Sequence, residues 1–247
     1  MKIIFLNIFF LTTLFSDTTK VCMYTIENNI DDFKSLKVQF DRYIKKFGDY
    51  EFQAFSDKNS FEEYINENKS ILILSSEHYK NLVKTNTFKA KLIAQKNNKI
   101  EDVKVLVGKK DKKIEGLITS AYNKKYTKKL LSSLKEKNVL STLIVPKEID
   151  ALMSVGFGMS DFTVVSKDSF SNLQKINPFL TKELVVYKEL ASSYRILVAI
   201  RDLNKIDMHL FEDMDKDDVG KFILDAIGID KFIAIDSKDL INLGGTK

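Results

Sequence analysis

Two hydroxyl-bearing turns hold the side chains best suited to chemistry. Ser75-Ser76 and Thr119-Ser120 each close an apolar run and stand before a helical one. A helix that opens at a strand end leaves unpaired N–H groups there, and its dipole adds to them. An oxyanion is the solute such a turn would hold. The same residues are good helix N-caps, which is the plainer use of Ser or Thr at that place. Tyr79 and Tyr122 follow the two turns and can stack on a solute, hydrogen-bond to it, or pack in a core. Asp161 opens a strand behind Gly156-Phe157-Gly158. It can take an amine or cap residues 158–160. Tyr24, at the end of the first strand-like run, is the remaining candidate.

Other chemistries lack their residues. His78 and His209 stand far apart, and no His, Cys, Asp or Glu grouping has metal-ligand spacing. There is no G-x-S-x-G and no P-loop. The stretch Gly156–Asp161 has two glycines where a dinucleotide loop needs three, and they follow a helix rather than open one. No catalytic residue, metal or cofactor is expected. Cys22 is the single cysteine, so no internal disulfide can form, and a buried strand thiol is its expected state. The chain of 247 residues carries a net charge of +5, nearly all of it from lysine. The arginines are Arg42, Arg195 and Arg201. Base readers favour arginine, so nucleic acid is not an expected partner. The richest basic stretch, residues 104–137, reads as a solvated helix face.

Periodicity supplies the elements around these residues. Strand-like runs at 20–26, 50–55 and 71–74 alternate with helical stripes at 31–47, 61–68 and 76–83. Ser60 with Glu63 reads as a capping box for the second of these helices. Ile71–Leu74 is wholly apolar, as a strand covered on both faces must be. Strands follow at 88–95 and 103–107, joined by a polar turn at 96–99. Residues 108–113 (GKKDKK) read as a linker. The alternation then restarts with strands at 116–120, 142–145 and 161–166 and helices at 124–137, 146–156 and 169–176. Strands at 183–188 and 194–201, a helix at 217–227, a strand at 232–235 and a short helix at 238–243 complete the chain. Such alternation implies an α/β protein with helices on both faces of mostly parallel sheets.

The N-terminus, residues 1–15, has one lysine followed by mostly apolar residues. It is too short to span a bilayer and reads as an export signal of residues 1–16, cleaved or kept as an anchor. Four segments then resemble the periplasmic substrate-binding proteins of ABC transporters, in the branch that binds phosphate, phosphite and phosphonate. They are ILILSSEHYKNL at 71–82, KEIDALMSVGFGMSDFTVVSKDSF at 147–170, LASSYRILVAIRDL at 190–203 and DVGKFILDAIG at 218–228. The resemblance implies the two-lobed type 2 periplasmic-binding-protein fold, with one lobe at 17–108 and 190–247 and the other at 109–189. It implies a monomer in the periplasm that closes on a small anionic ligand held by Tyr24, Ser75, Ser76, Tyr79, Thr119, Ser120, Tyr122 and Asp161, and then meets a membrane permease. The family's Ser/Thr-rich turn is reduced here to Thr119-Ser120. A sensory or scaffold domain of the same fold, working with a membrane partner, is therefore the alternative.

Overall fold

The computed structural model describes residues 18–27, 32–68, 70–85, 87–134, 140–201 and 206–244. The expected export signal lies outside them. From the N-terminus run β1 (Thr19–Tyr24), α1 (Phe33–Ile44), β2 (Tyr50–Ala54), α2 (Lys58–Glu67), β3 (Ser70–Leu74) and α3 (Ser76–Leu82). Then β4 (Phe88–Gln95) and β5 (Glu101–Lys109) lead into β6 (Gly116–Ser120), α4 (Lys124–Leu131), β7 (Leu140–Ile144), α5 (Glu148–Gly156), β8 (Phe162–Ser166), α6 (Lys167–Ile176) and α7 (Pro178–Thr181). The return uses β9 (Leu184–Tyr194) and β10 (Leu197–Arg201). After them come α8 (His209–Glu212), α9 (Asp218–Ala226), β11 (Lys231–Ala234) and α10 (Ser237–Asn242).

These strands form two sheets. The first has the order β11-β4-β10-β3-β1-β2, the second β7-β6-β8-β5-β9. Both are mixed. β1 runs parallel to β2 and β3, and β6 parallel to β7 and β8, as the β/α alternation requires. The strands that cross between sheets pair antiparallel, because each arrives from the other lobe. In β3, alternate residues face opposite sides. Ile71 and Ile73 join Phe40 and Phe52 in one core, and Leu72 and Leu74 join Phe61 and Tyr79 in the other. Each fully buried side chain of this kind contributes about 1.5–3 kcal/mol of transfer free energy. Cys22 is a buried free thiol in the second of these cores.

The chain passes between the sheets twice, at 96–100 and at 195–196. The Arg195 amide donates to the Ile100 carbonyl at 2.9 Å, and the Ala94 amide to that of Ile196 at 2.9 Å, so the two crossings are bonded to each other. Asn97 and Asn98 take left-handed φ of 50° and 58° in the turn that starts the first crossing. This places the crossings differently from the sequence reading. Residues 103–107 belong to the second sheet, and 108–113 are the far end of β5 and its turn rather than a linker. Composition misleads there, because a Lys-rich turn and a Lys-rich linker look alike. The cap of α2 also differs. Asp57, not Ser60, is the N-cap, and its carboxylate accepts from the Ser60 amide at 2.9 Å.

Candidate functional site

The C-terminal ends of β1, β3, β6 and β8 all point toward the seam between the two sheets, so the loops that follow them meet there. Their side chains are those that β/α connections deliver to a crevice between strand ends. From the first lobe come Tyr24, Thr25 and Glu27 after β1, and Ser75 and Ser76 after β3. From the second come Ser120 and Tyr122 after β6, Ser166 and Ser169 around the start of α6, and Lys147 and Glu148 at the start of α5.

The centre of the seam is filled by the protein's own polar groups. Glu148 is fully buried and accepts from the Tyr122 hydroxyl, the Ser166 amide at 2.6 Å, and the hydroxyls of Ser166 and Ser169. The Glu148 amide donates across the seam to the Ile26 carbonyl at 3.0 Å, and the Ser169 hydroxyl to that of Glu27 at 2.8 Å. Lys147 donates to the Thr25 carbonyl and lies over the Tyr24 ring, 4.6 Å from its centroid. Lys104 from β5 is almost wholly buried, with Glu27 at 3.7 Å and Asp102 at 3.9 Å. Burial works against its charge, yet the carboxylates of Glu27, Glu148 and Asp102 outweigh it and hold its pKa above the ordinary lysine value. Burial lifts Glu27 to about 7, with Lys104 opposing. Its Oε2 has no hydrogen-bond partner. Burial also lowers Lys147, and raises Tyr24 to about 12.

On either side of this seam an open groove runs between the lobes. One, of about 670 Å³, lies between α1 and α9 on one lobe and α5 and α6 on the other. Its ionisable lining is mainly acidic: Glu27, Asp32, Asp225 and Asp230 against Lys96 and Lys175. The other, of about 1060 Å³, lies between α3 and α10 on the first lobe and α4 and β9 on the second. This one is basic, with Lys80, Lys84, Lys125 and Lys129 against Glu77 and Glu101. Ser76, Asn123, Tyr126 and Ser193 add polar groups. Burial raises the Glu77 pKa, while Lys80 and Lys84 of its own lobe and Lys129 of the other oppose it, so charges from both lobes act on one place.

The expected site residues divide between these places. Ser76 lines the basic groove, and its hydroxyl donates to the Tyr194 carbonyl at 2.6 Å, at the second crossing. Ser75 caps α3, accepting from the His78 amide at 3.3 Å. Tyr24 and Tyr122 lie in the seam. Ser120 sits beside them, bonded to the Thr127 hydroxyl at 3.0 Å and the Tyr122 amide at 3.2 Å. Three others lie inside a lobe. Tyr79 is fully buried and bonds to the Phe88 carbonyl and the Ala90 amide. Thr119 contacts the Ala151 carbonyl and the hydroxyls of Ser154 and Ser160. Asp161 accepts from the Leu117 amide at 2.9 Å, at the pole of the second sheet away from the seam. The sequence reading passed over Glu27, Lys104, Lys147 and Glu148. Lys104 left a signal, as the one charge within Val103–Val107. The others resemble ordinary loop and first-turn residues.

Two sheets joined by a paired crossing, with grooves between them, define the two-lobed type 2 periplasmic-binding-protein fold. Solved structures that share it include the binding-protein component of an ABC phosphonate transporter from Pseudomonas aeruginosa, with 14% identity and a TM-score of 0.70 over 92% of this chain and 85% of that one. A Prochlorococcus marinus protein in complex with methylphosphonate has 15% identity and a TM-score of 0.71 over 91% and 96%. An ancestral arginine-binding protein bound to arginine has 17% identity and a TM-score of 0.56 over 85% and 98%. No family model and no curated protein sequence matches the chain. Among the described residues no helix is long and apolar enough to cross a membrane.

Proposed function

We propose that this chain is an exported solute-binding protein, a monomer of the periplasm, that takes a small oxyanion of the phosphonate or phosphate kind between its lobes. It then delivers the ligand to an ABC transporter permease; it binds and does not catalyse. The observation that carries this reading is the basic groove. Four lysines, Lys80 and Lys84 from α3 and the turn after it on one lobe and Lys125 and Lys129 from α4 on the other, face one space between two sheets that the chain crosses twice. The α3 and α4 N-termini open on it, with Ser75 and Asn123 as their caps. Hinge closure would bring the two sets of cations together on one anion.

Isothermal titration with methylphosphonate and inorganic phosphate tests this. A saturable complex that weakens about ten-fold in Lys80→Gln/Lys129→Gln supports it, since two solvent-exposed charge contacts of about 0.7 kcal/mol each are lost. Absence of heat with both anions removes the oxyanion assignment. The self-filled seam of Tyr122, Glu148, Ser166 and Ser169 favours a second reading, a sensory or scaffold domain of the same fold. That reading gains if no small solute, arginine included, shifts the melting temperature.

A further inference from the structure

We propose that the second lobe carries an oxyanion site at the seam which the chain fills with its own Glu148 carboxylate, and that a free carboxylate binds there once this side chain is removed. The site is drawn from three segments at strand ends. Tyr122 comes from the connection after β6, Ser166 from the end of β8, and Ser169 from the first turn of α6. Their three hydroxyls, and the Ser166 amide at 2.6 Å, converge on one carboxylate. That carboxylate comes from a fourth segment, the first turn of α5, and is fully buried. The first lobe closes over the same place with two backbone carbonyls. Ile26 accepts from the Glu148 amide at 3.0 Å, and the Glu27 carbonyl lies 2.8 Å from the Ser169 hydroxyl.

The donors belong to the site and not to the helix that supplies Glu148. α5 is capped without it, because the Lys147 amide donates to Asp150 at 3.1 Å. The carboxylate counts at α6, a helix of ten residues. Ser166 is its N-cap and accepts from the Ser169 amide at 3.1 Å. In a capping box the N-cap amide goes to a carboxylate or amide side chain three residues on. Serine stands at that position here, so the Ser166 amide is left for an anion from outside the helix, where the dipole also favours one. Lys104 adds a cation. It is 2% exposed, and its ammonium lies 5.1 Å from the centroid of the Tyr122 ring. Its salt-bridge partners Glu27 and Asp102 stand off at 3.7 and 3.9 Å. Three hydroxyls, a helix amide and a buried ammonium around one carboxylate are what a small oxyanion needs. A group tethered there competes at an effective concentration on the order of millimolar or more. The wild-type seam is thus closed on the chain's own anion, whatever the basic groove takes.

Glu148→Ala removes the heavy atoms of an acetate ion, so acetate is the probe. Thermal unfolding of this variant in sodium acetate, against sodium chloride at equal ionic strength, reads the site. Acetate should raise its melting temperature saturably, by about 4 °C at ten times the dissociation constant. The wild type should show no such rise over chloride. Adding Tyr122→Phe, which deletes one donor, should weaken acetate about ten-fold. Adding Lys80→Gln/Lys129→Gln instead should leave the acetate response unchanged, which separates the seam from the basic groove. If Glu148→Ala does not fold alone, recovery of folded protein on dilution from denaturant into acetate, and not into chloride, reads the same binding. Four results overturn the proposal: no acetate effect on Glu148→Ala in either assay, an equal effect on the wild type, an effect that Tyr122→Phe leaves intact, or one that the two lysine changes abolish. None of the first three touches the titration of the basic groove with methylphosphonate, so the two readings fail separately.

Discussion

Glu148 is the residue on which most donors converge. It accepts from four donors in the seam while its own side chain is sealed from water. Glu148→Leu strands the Tyr122 hydroxyl and the Ser166 amide without an acceptor, and leaves Lys104 with one carboxylate fewer. Denaturant unfolding should show a loss of about 3 kcal/mol, with Glu148→Gln losing less because it keeps one acceptor oxygen. Glu27 sets a pH dependence with a definite sign. Its folded-state pKa of about 7 lies above the ordinary carboxylate value, chiefly through burial, with Lys104 opposing and Glu148 and Asp102 reinforcing. The folded protein then holds a proton that the unfolded chain has released. Its stabilising contribution is complete below about 4.5 and is lost as the pH rises to about 7. Across that window the wild type should lose on the order of 3 kcal/mol relative to Glu27→Gln. The comparison cancels the opposite trend of His78, whose pKa burial lowers despite its bond to Glu62. Equal pH profiles for the two proteins would mean that Glu27 is already neutralised by its surroundings.

At the scale of elements, the parts legible in the sequence were those with a period. The β/α alternation of the first lobe, the turn at 96–99 and the doubly covered β3 all follow from spacing alone. Features decided by a neighbour distant in sequence were not legible. Which residue caps α2 depends on how the chain enters the helix. Asp57→Ala should cost about 1 kcal/mol, and Ser60→Ala only a few tenths, in thermal unfolding. Gly220, in the first turn of α9, makes the same point. By propensity an alanine there should stabilise a helix by up to about 1 kcal/mol. In the fold its Cβ would run into the Met214 carbonyl oxygen in the short 3-10 turn before α9. Gly220→Ala should therefore destabilise by about 2 kcal/mol, since backbone cannot swing aside as a side chain can. The candidate site suffered in the same way. Periodicity placed Ser75, Ser76, Thr119 and Ser120 at strand ends, but tertiary packing decided that only Ser76 opens to a groove while Thr119 turns into its own lobe.

For the whole molecule, the lobe closure that the proposed function requires would rest on few groups. Two crossings bonded to each other form the axis. Contacts across the seam include the Lys147 contact to Thr25 and Tyr24, the Glu148 amide, the Ser169 hydroxyl and the Lys104–Glu27 pair. Near the axis, Asp168 adds ion pairs to Arg195 at 2.8 Å and Lys96 at 3.2 Å. Lys147→Ala removes one cross-seam hydrogen bond and a cation–π contact together worth about 2 kcal/mol, without disturbing either core. A two-state equilibrium shifted by that much changes its closed-to-open ratio roughly thirty-fold. Small-angle scattering should then report a larger radius of gyration for Lys147→Ala than for the wild type, while unfolding of each lobe stays cooperative. If the basic groove takes an oxyanion, methylphosphonate should restore the compact value, because a ligand that bridges both lobes replaces the lost contact. A variant that expands and stays expanded with ligand would show that the lobes separate without the groove governing them. One that never expands would locate the closure in the crossings and in Glu148 instead.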